Sequence, residues 1–178
     1  MANYGTFTIL SAVECGLAVL FWVVSFATRG WLVGNTLQGD VDIGLFKTSV
    51  SVGSQELVVD TSSFLPDVSS ELDVTIGLMA TGGAFALISL GLLVVTILKK
   101  EKILFVAFAV TSALSGILTL VGAILFKVNY DLDSNVDVGY SWYLAVLAYV
   151  FQWSSFGSLG AAVRRGEIAF NGGFNSMR

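Results

Sequence analysis

Glu14 is an acid inside an otherwise uncharged apolar run, Thr6 to Thr28, and an ionisable group in that setting is the first place to look for chemistry. A carboxylate near mid-bilayer costs about 2.5–3.5 kcal/mol on insertion scales, so it faces a bundle interior, finds a partner or takes up a proton. No lysine, arginine or histidine lies at its depth. Two readings stay open: a neutral Glu14 hydrogen-bonded to hydroxyls, or a Glu14 paired with a cation of another subunit. Measured from the basic ends of the apolar segments, Thr111 and Ser112, Ser89 and Ser155 lie level with Glu14. These hydroxyls are expected to form one polar layer with it. Gln152, a little nearer the opposite side, can hydrogen-bond in the same way.

The remaining acids cluster outside the apolar runs. Asp40 and Asp42, with Glu56 and Asp60, are candidates for contact with a cation or a basic partner, and Asp131, Asp133 and Asp137 could offer oxygens to a weakly held calcium ion. The latter set lacks the glycine and terminal glutamate of an EF-hand loop, and solvated charge accounts for it better. Enzyme chemistry finds little support. The chain has no histidine and a single cysteine, Cys15, with no glycine-rich phosphate loop after a strand and no nucleophile beside a candidate base. Neither a cofactor, a metal nor nucleic acid is expected as a ligand.

Four segments are long and apolar enough to cross about 30 Å of hydrocarbon: 6–28, 75–98, 103–126 and 138–163. A composition of 55% apolar and 12% charged residues agrees with a membrane protein. No basic residue precedes the first run, which is longer than the core of a signal peptide, so it is expected to remain as a membrane helix. The linker Lys99-Lys100-Glu101-Lys102 and the tail from Arg164 are basic. Residues 29–74, by contrast, set Arg29 and Lys47 against seven acids, and residues 127–137 set Lys127 against three. Positive-inside bias then places both termini and the Lys99 linker in the cytoplasm, with the two acidic loops outside, at what is expected to be the plasma membrane. Arg164 and Arg165 would hold the fourth helix at the inner headgroups.

The first loop reads as a small sheet. Strands are expected over Trp31–Leu37, Val41–Val52 and Glu56–Val59, with turns at Gly34-Asn35, Gly39-Asp40 and Gly53-Ser54 and a short turn or helix over Ser62–Val68. So small a sheet buries too little to stand alone, and the end of the helical bundle is its expected support. Ser70 and Asp73 have capping-box spacing for the second span. Small residues four apart mark faces where helices can approach: Gly82 and Ala86, Ser112 and Gly116, and Gly157 and Ala161. Most should pack the bundle; one or two could meet another membrane protein.

Trp31 soon after the first span, then Gly44-Leu45-Phe46, then Gly139-Tyr140-Ser141-Trp142-Tyr143-Leu144 entering the fourth, together resemble the claudin superfamily. That group includes claudins, peripheral myelin protein relatives, and auxiliary gamma subunits of calcium channels and glutamate receptors. Its hallmark is a tryptophan, then Gly-Leu-Trp, then two cysteines joined across the first loop. Phe46 replaces the third residue of the tripeptide, and Ser49 stands where the first family cysteine would fall. With Cys15 alone, no intrachain disulfide can form, which forgoes about 2–4 kcal/mol. The resemblance implies an all-α four-helix membrane bundle carrying a small extracellular β-sheet between the first two helices. It also implies one of two roles. An accessory subunit would pack laterally against a channel, receptor or transporter; a junction or adhesion protein would meet like chains and line a paracellular cation path. Trp31 and Phe46 are expected to pack the sheet on the bundle or sit at the membrane interface. Junction-forming claudins typically end in an apolar scaffold ligand, whereas this sequence ends in Arg178, which favours the accessory role.

Overall fold

The computed structural model describes residues 5–36, 39–64, 69–129 and 136–170. Four helices are long and apolar enough to span a membrane: α1 (Thr6–Ala27), α3 (Ser69–Lys99), α4 (Lys102–Asn129) and α5 (Tyr140–Arg164). On this count the protein is an integral membrane protein: the bilayer core offers no water to backbone groups, and a spanning helix bonds them to one another. Each helix packs on two neighbours in the order α1, α5, α4, α3 and back to α1. Lys100, at φ +55°, and its N–H bond to the Thr96 carbonyl (2.9 Å) close the α3–α4 hairpin.

A five-stranded antiparallel sheet covers one end of the bundle. Its strands are β1 (Leu32–Thr36), β2 (Gly39–Ile43), β3 (Lys47–Val52), β4 (Gln55–Asp60) and β5 (Val136–Val138), in the spatial order β4-β3-β2-β1-β5. The short helix α2 (Thr61–Phe64) follows β4. β5 comes from the second loop and pairs Val136, Asp137 and Val138 with Gly34, Val33 and Leu32. The sheet expected from the first loop therefore gains a strand, and Val138, assigned to the fourth span from its hydropathy, belongs to that strand instead. Three residues carry too little alternation to announce a strand; they pair because α5 begins where β1 begins. The Gly139 N–H donates to the Trp31 carbonyl (2.9 Å) and the Ser141 N–H to that of Gly30 (2.8 Å).

Residues Val41–Val52 form two strands where the alternation suggests one. Gly44-Leu45-Phe46 breaks them, with the Gly44 N–H bonded to the Lys47 carbonyl at 3.0 Å. A side chain at Gly44 would stand 2.7 Å from the Arg29 Cα, so only glycine lets this turn lie against the end of α1. Gly53 (φ +61°) turns β3 into β4, as its sequence suggests. Ser70 lies within α3 and bonds Glu71 Oε2 (2.8 Å), so the expected capping box does not start that helix. Leu37, Pro66, Asp131 and Asp133 lie outside the described residues, whereas Asp137, the third acid of the second loop, is in β5.

One face of the sheet is apolar. Leu32, Val41, Ile43 and Leu45 pack with Trp31 onto Leu72 and Met79 of α3, Ala123 and Phe126 of α4, and Ala145 of α5. Trp31 is fully buried, its ring centroid 5.0 Å from that of Phe126, and its indole N–H donates to the Ser25 carbonyl at 2.8 Å. Phe46 is half-exposed and meets Phe26 edge-on at 5.0 Å. Trp22 and Trp142 make the same kind of bond as Trp31, to the carbonyls of Met79 (2.9 Å) and Ala123 (2.8 Å). The Trp22 and Trp142 indoles thus tie α1 to α3 and α5 to α4, while that of Trp31 ties the start of the sheet back to α1. Trp31→Ala should cost about 3–5 kcal/mol and detach the sheet, while Trp31→Phe, which keeps the ring, should lose about 1 kcal/mol; thermal melting in detergent distinguishes them.

Candidate functional site

Glu14 is 8% exposed and sits at the seam between α1 and α5. The Ser154 hydroxyl donates to its Oε1 at 2.6 Å and the Ser158 hydroxyl to its Oε2 at 2.7 Å. The two serines are four apart on α5, so one helix face supplies both donors. Hydroxyls do surround Glu14, but they are not those of the expected layer. Ser155 is turned inward and exchanges hydrogen bonds with Ser11: its hydroxyl donates to the Ser11 carbonyl and the Ser11 hydroxyl to the Ser155 carbonyl, both at 2.9 Å. Ser89 and Ser112 instead accept from Gln152 Nε2 at 2.6 and 2.9 Å. Thr111 bonds back to its own helix at Ala107.

Among the described residues the Gln152 and Glu14 groups are thus separate, with the Ser11–Ser155 exchange a third polar contact between α1 and α5. Gln152 joins α5 to α3 and α4 on the axis, with its Oε1 buried and without a hydrogen-bond partner among the described residues. Glu14 joins α1 to α5 at the rim. Ser89 donates to the Ala86 carbonyl (2.8 Å), which leaves it an acceptor toward Gln152 and fixes the amide's orientation. Interhelical bonds of this kind average about 0.6 kcal/mol, so they select helix rotation more than they stabilise the bundle.

The small-residue pairs divide in the same way. A Cβ at Gly82 would lie 2.7 Å from the Thr119 hydroxyl, and Ala86 is buried, so this pair forms the close approach of α3 to α4. Ser112 and Gly116 are buried where α4 meets α5, and a side chain at Gly116 would collide with Trp153. Gly157 differs. Nothing lies within 4 Å of where its Cβ would be, and Gly160 is equally open. Gly157 is exposed and Ala161 half-buried, so the Gly157–Ala161 face points out of the bundle beside Ser154.

On the sheet, residues facing each other across strands share a face. Asp42 opposes Val33 and Ser49, Val33 opposes Asp137, and Asp40 opposes Ser51, which opposes Glu56. This is the face turned away from the apolar core. Arg29 pairs with Glu56 (2.9 Å) and Lys47 with Asp60 (2.8 Å), both exposed. Of the four acids singled out by sequence, Glu56 and Asp60 are thus neutralised locally. Among the described residues Asp40, Asp42 and Asp137 make no ion pair.

No protein-family model matches this chain, and no curated protein matches its sequence.

One residue that ties the bundle together, Glu167, is missed by sequence reasoning. Glu167 accepts from the Thr8 N–H (3.1 Å), the Thr8 hydroxyl (3.2 Å) and the Phe7 N–H (3.4 Å), closing the N-terminus of α1 from the far end of the chain. α5 delivers it through a Schellman turn, with Gly166 at φ +73°, the Gly166 N–H on the Val163 carbonyl and the Glu167 N–H on that of Ala162. Arg165 covers the Phe7 ring at 4.3 Å, and Ile168 is buried with Phe108 and Leu159. The available signal is negative: Gly5 precedes α1 with no side-chain cap, and the first turn has no acid. A carboxylate there both bonds orphan N–H groups and opposes the helix dipole.

Glu14→Gln should leave the melting temperature near wild type, since the amide retains an acceptor for one serine. Glu167→Ala should cost about 1 kcal/mol, the usual loss of an N-cap. Gly82→Leu should unfold the bundle where Gly157→Leu does not; melting of all four variants in one detergent checks these outcomes together.

Proposed function

We propose that this protein is a non-enzymatic, claudin-like accessory subunit that packs laterally against a channel, receptor or transporter. The observation that carries this reading is the outward α5 face of Ser154, Gly157 and Ala161 beside Glu14. Open glycines let a second helix approach closely, and close approach is what drives helix association where lipid removes the hydrophobic incentive. The Glu14–serine cluster at its edge offers that helix a polar partner. The acidic face of the sheet would then meet the partner's part outside the membrane. The claudin-like pattern of Trp31 and Gly44-Leu45-Phe46 supports the same role, and the charge distribution supports cytoplasmic termini in the plasma membrane.

A second reading, cell–cell adhesion with a cation path, rests on the unpaired Asp40, Asp42 and Asp137 on one face. Affinity purification from the native membrane in mild detergent, followed by mass spectrometry, separates the two. A stoichiometric channel, receptor or transporter, lost with Gly157→Leu while the protein stays folded, is the expected result. Recovery of self-assembled chains, released by charge reversal at Asp40 and Asp42 and indifferent to Gly157→Leu, would establish adhesion and overturn the accessory role.

A further inference from the structure

Where α1 ends and α5 begins, the polar face of the sheet borders an open cavity of about 380 Å³ lined by Thr28, Arg29, Asp42, Ser49, Glu56 and Tyr140. Ala27 closes α1 and Tyr140 opens α5, so the cavity lies at the level where two membrane helices leave the hydrocarbon. Tyrosine is enriched at that depth because its ring is apolar and its hydroxyl polar. The Tyr140 ring lies on the backbone of Gly30, and any side chain at Gly30 would collide with it. The aromatic wall is thus seated by a glycine, and Tyr140 as a whole is 57% exposed.

The charges in this cavity are of both signs and have spare capacity. Asp42 makes no ion pair among the described residues. Arg29 uses Nη1 on Glu56, and among the described residues its remaining guanidinium donors are available to a second acceptor. The pair is half-exposed on both sides, so it yields readily to a better geometry. Two carboxylates against one guanidinium leave a single negative charge, which admits a cation only if any anion it brings is met by Arg29.

We propose that this cavity binds the zwitterionic amine–phosphate head of a phospholipid from the leaflet on the sheet side of the membrane. The ammonium lies between Asp42 and the Tyr140 ring, where carboxylate and π-face both favour a cation, and the phosphate accepts from Arg29. A head with phosphate and no amine places its charge beside Asp42 and Glu56 uncompensated. The site does not depend on the accessory role proposed above.

The test is native mass spectrometry of the full chain exchanged into equimolar dioleoyl-phosphatidylcholine and dioleoyl-phosphatidylglycerol. The wild type should retain phosphatidylcholine about fivefold over phosphatidylglycerol, as one half-exposed charge contact allows. Asp42→Asn should bring that ratio toward one, and Gly30→Ala should do the same by displacing Tyr140. Asp40→Asn, which lies outside the cavity, should leave it unchanged. Melting temperatures confirm that each variant is folded. Equal retention of the two lipids by wild type, or an effect of Asp40→Asn as large as that of Asp42→Asn, would overturn the site. Glycerophosphocholine carries the same head without chains and should compete weakly; full competition would overturn the lipid as its source.

Discussion

The burial of Trp31 is the constraint on which the sheet depends. Five short strands have too little area to hold themselves together, and no disulfide crosses them, since Cys15 is the chain's one cysteine and is buried in α1. Trp31 fills the junction instead, tilted against the Phe126 ring and bonded to the Ser25 carbonyl. Once it is seated, β1 must start at Leu32, α5 must start beside it through the Gly30 and Trp31 carbonyls, and β5 falls into register at the sheet edge. Position in the membrane, sheet pairing and helix entry are thereby coupled at one side chain.

Within the bundle, polarity rather than apolar burial sets helix rotation. Lipid is as apolar as leucine, so a leucine facing inward gains little over one facing out. Gln152 on Ser89 and Ser112, Ser11 on Ser155, and Glu14 on Ser154 and Ser158 each require particular faces to meet. At the opposite end from the sheet, Glu167 supplies α1 with the cap its own sequence lacks. The two ends of the bundle are thus closed by different means, a buried ring at one and a carboxylate on helix N–H groups at the other.

The function-bearing residues were legible to different degrees, and the reason is geometric. Asp40 and Asp42 alternate with Val41 and Ile43, so a period of two already placed the acids on the face away from the core. For Glu14 the sequence left hydroxyls of this chain or a cation of another subunit as partners, and Ser154 and Ser158 supply hydroxyls. Which hydroxyls was not legible: Ser154 and Ser155 are adjacent in sequence but about 100° apart around α5, and only helix rotation decides which one faces α1. Gly157–Ala161 and Gly82–Ala86 have identical spacing, yet one pair lies open and the other meets Thr119.

What the sequence determined by itself is what depends on neighbours along the chain. Four apolar runs of membrane-spanning length, the alternation of β2 and the Gly53 turn all follow from residues within one element. The tertiary structure alone decided the contacts between distant segments. It joined β5 to β1, brought Glu167 to Thr8, laid Tyr140 on Gly30 and turned Gly157 outward. Local periodicity says how far along a helix a residue lies; the angle at which that helix packs is a property of all four together.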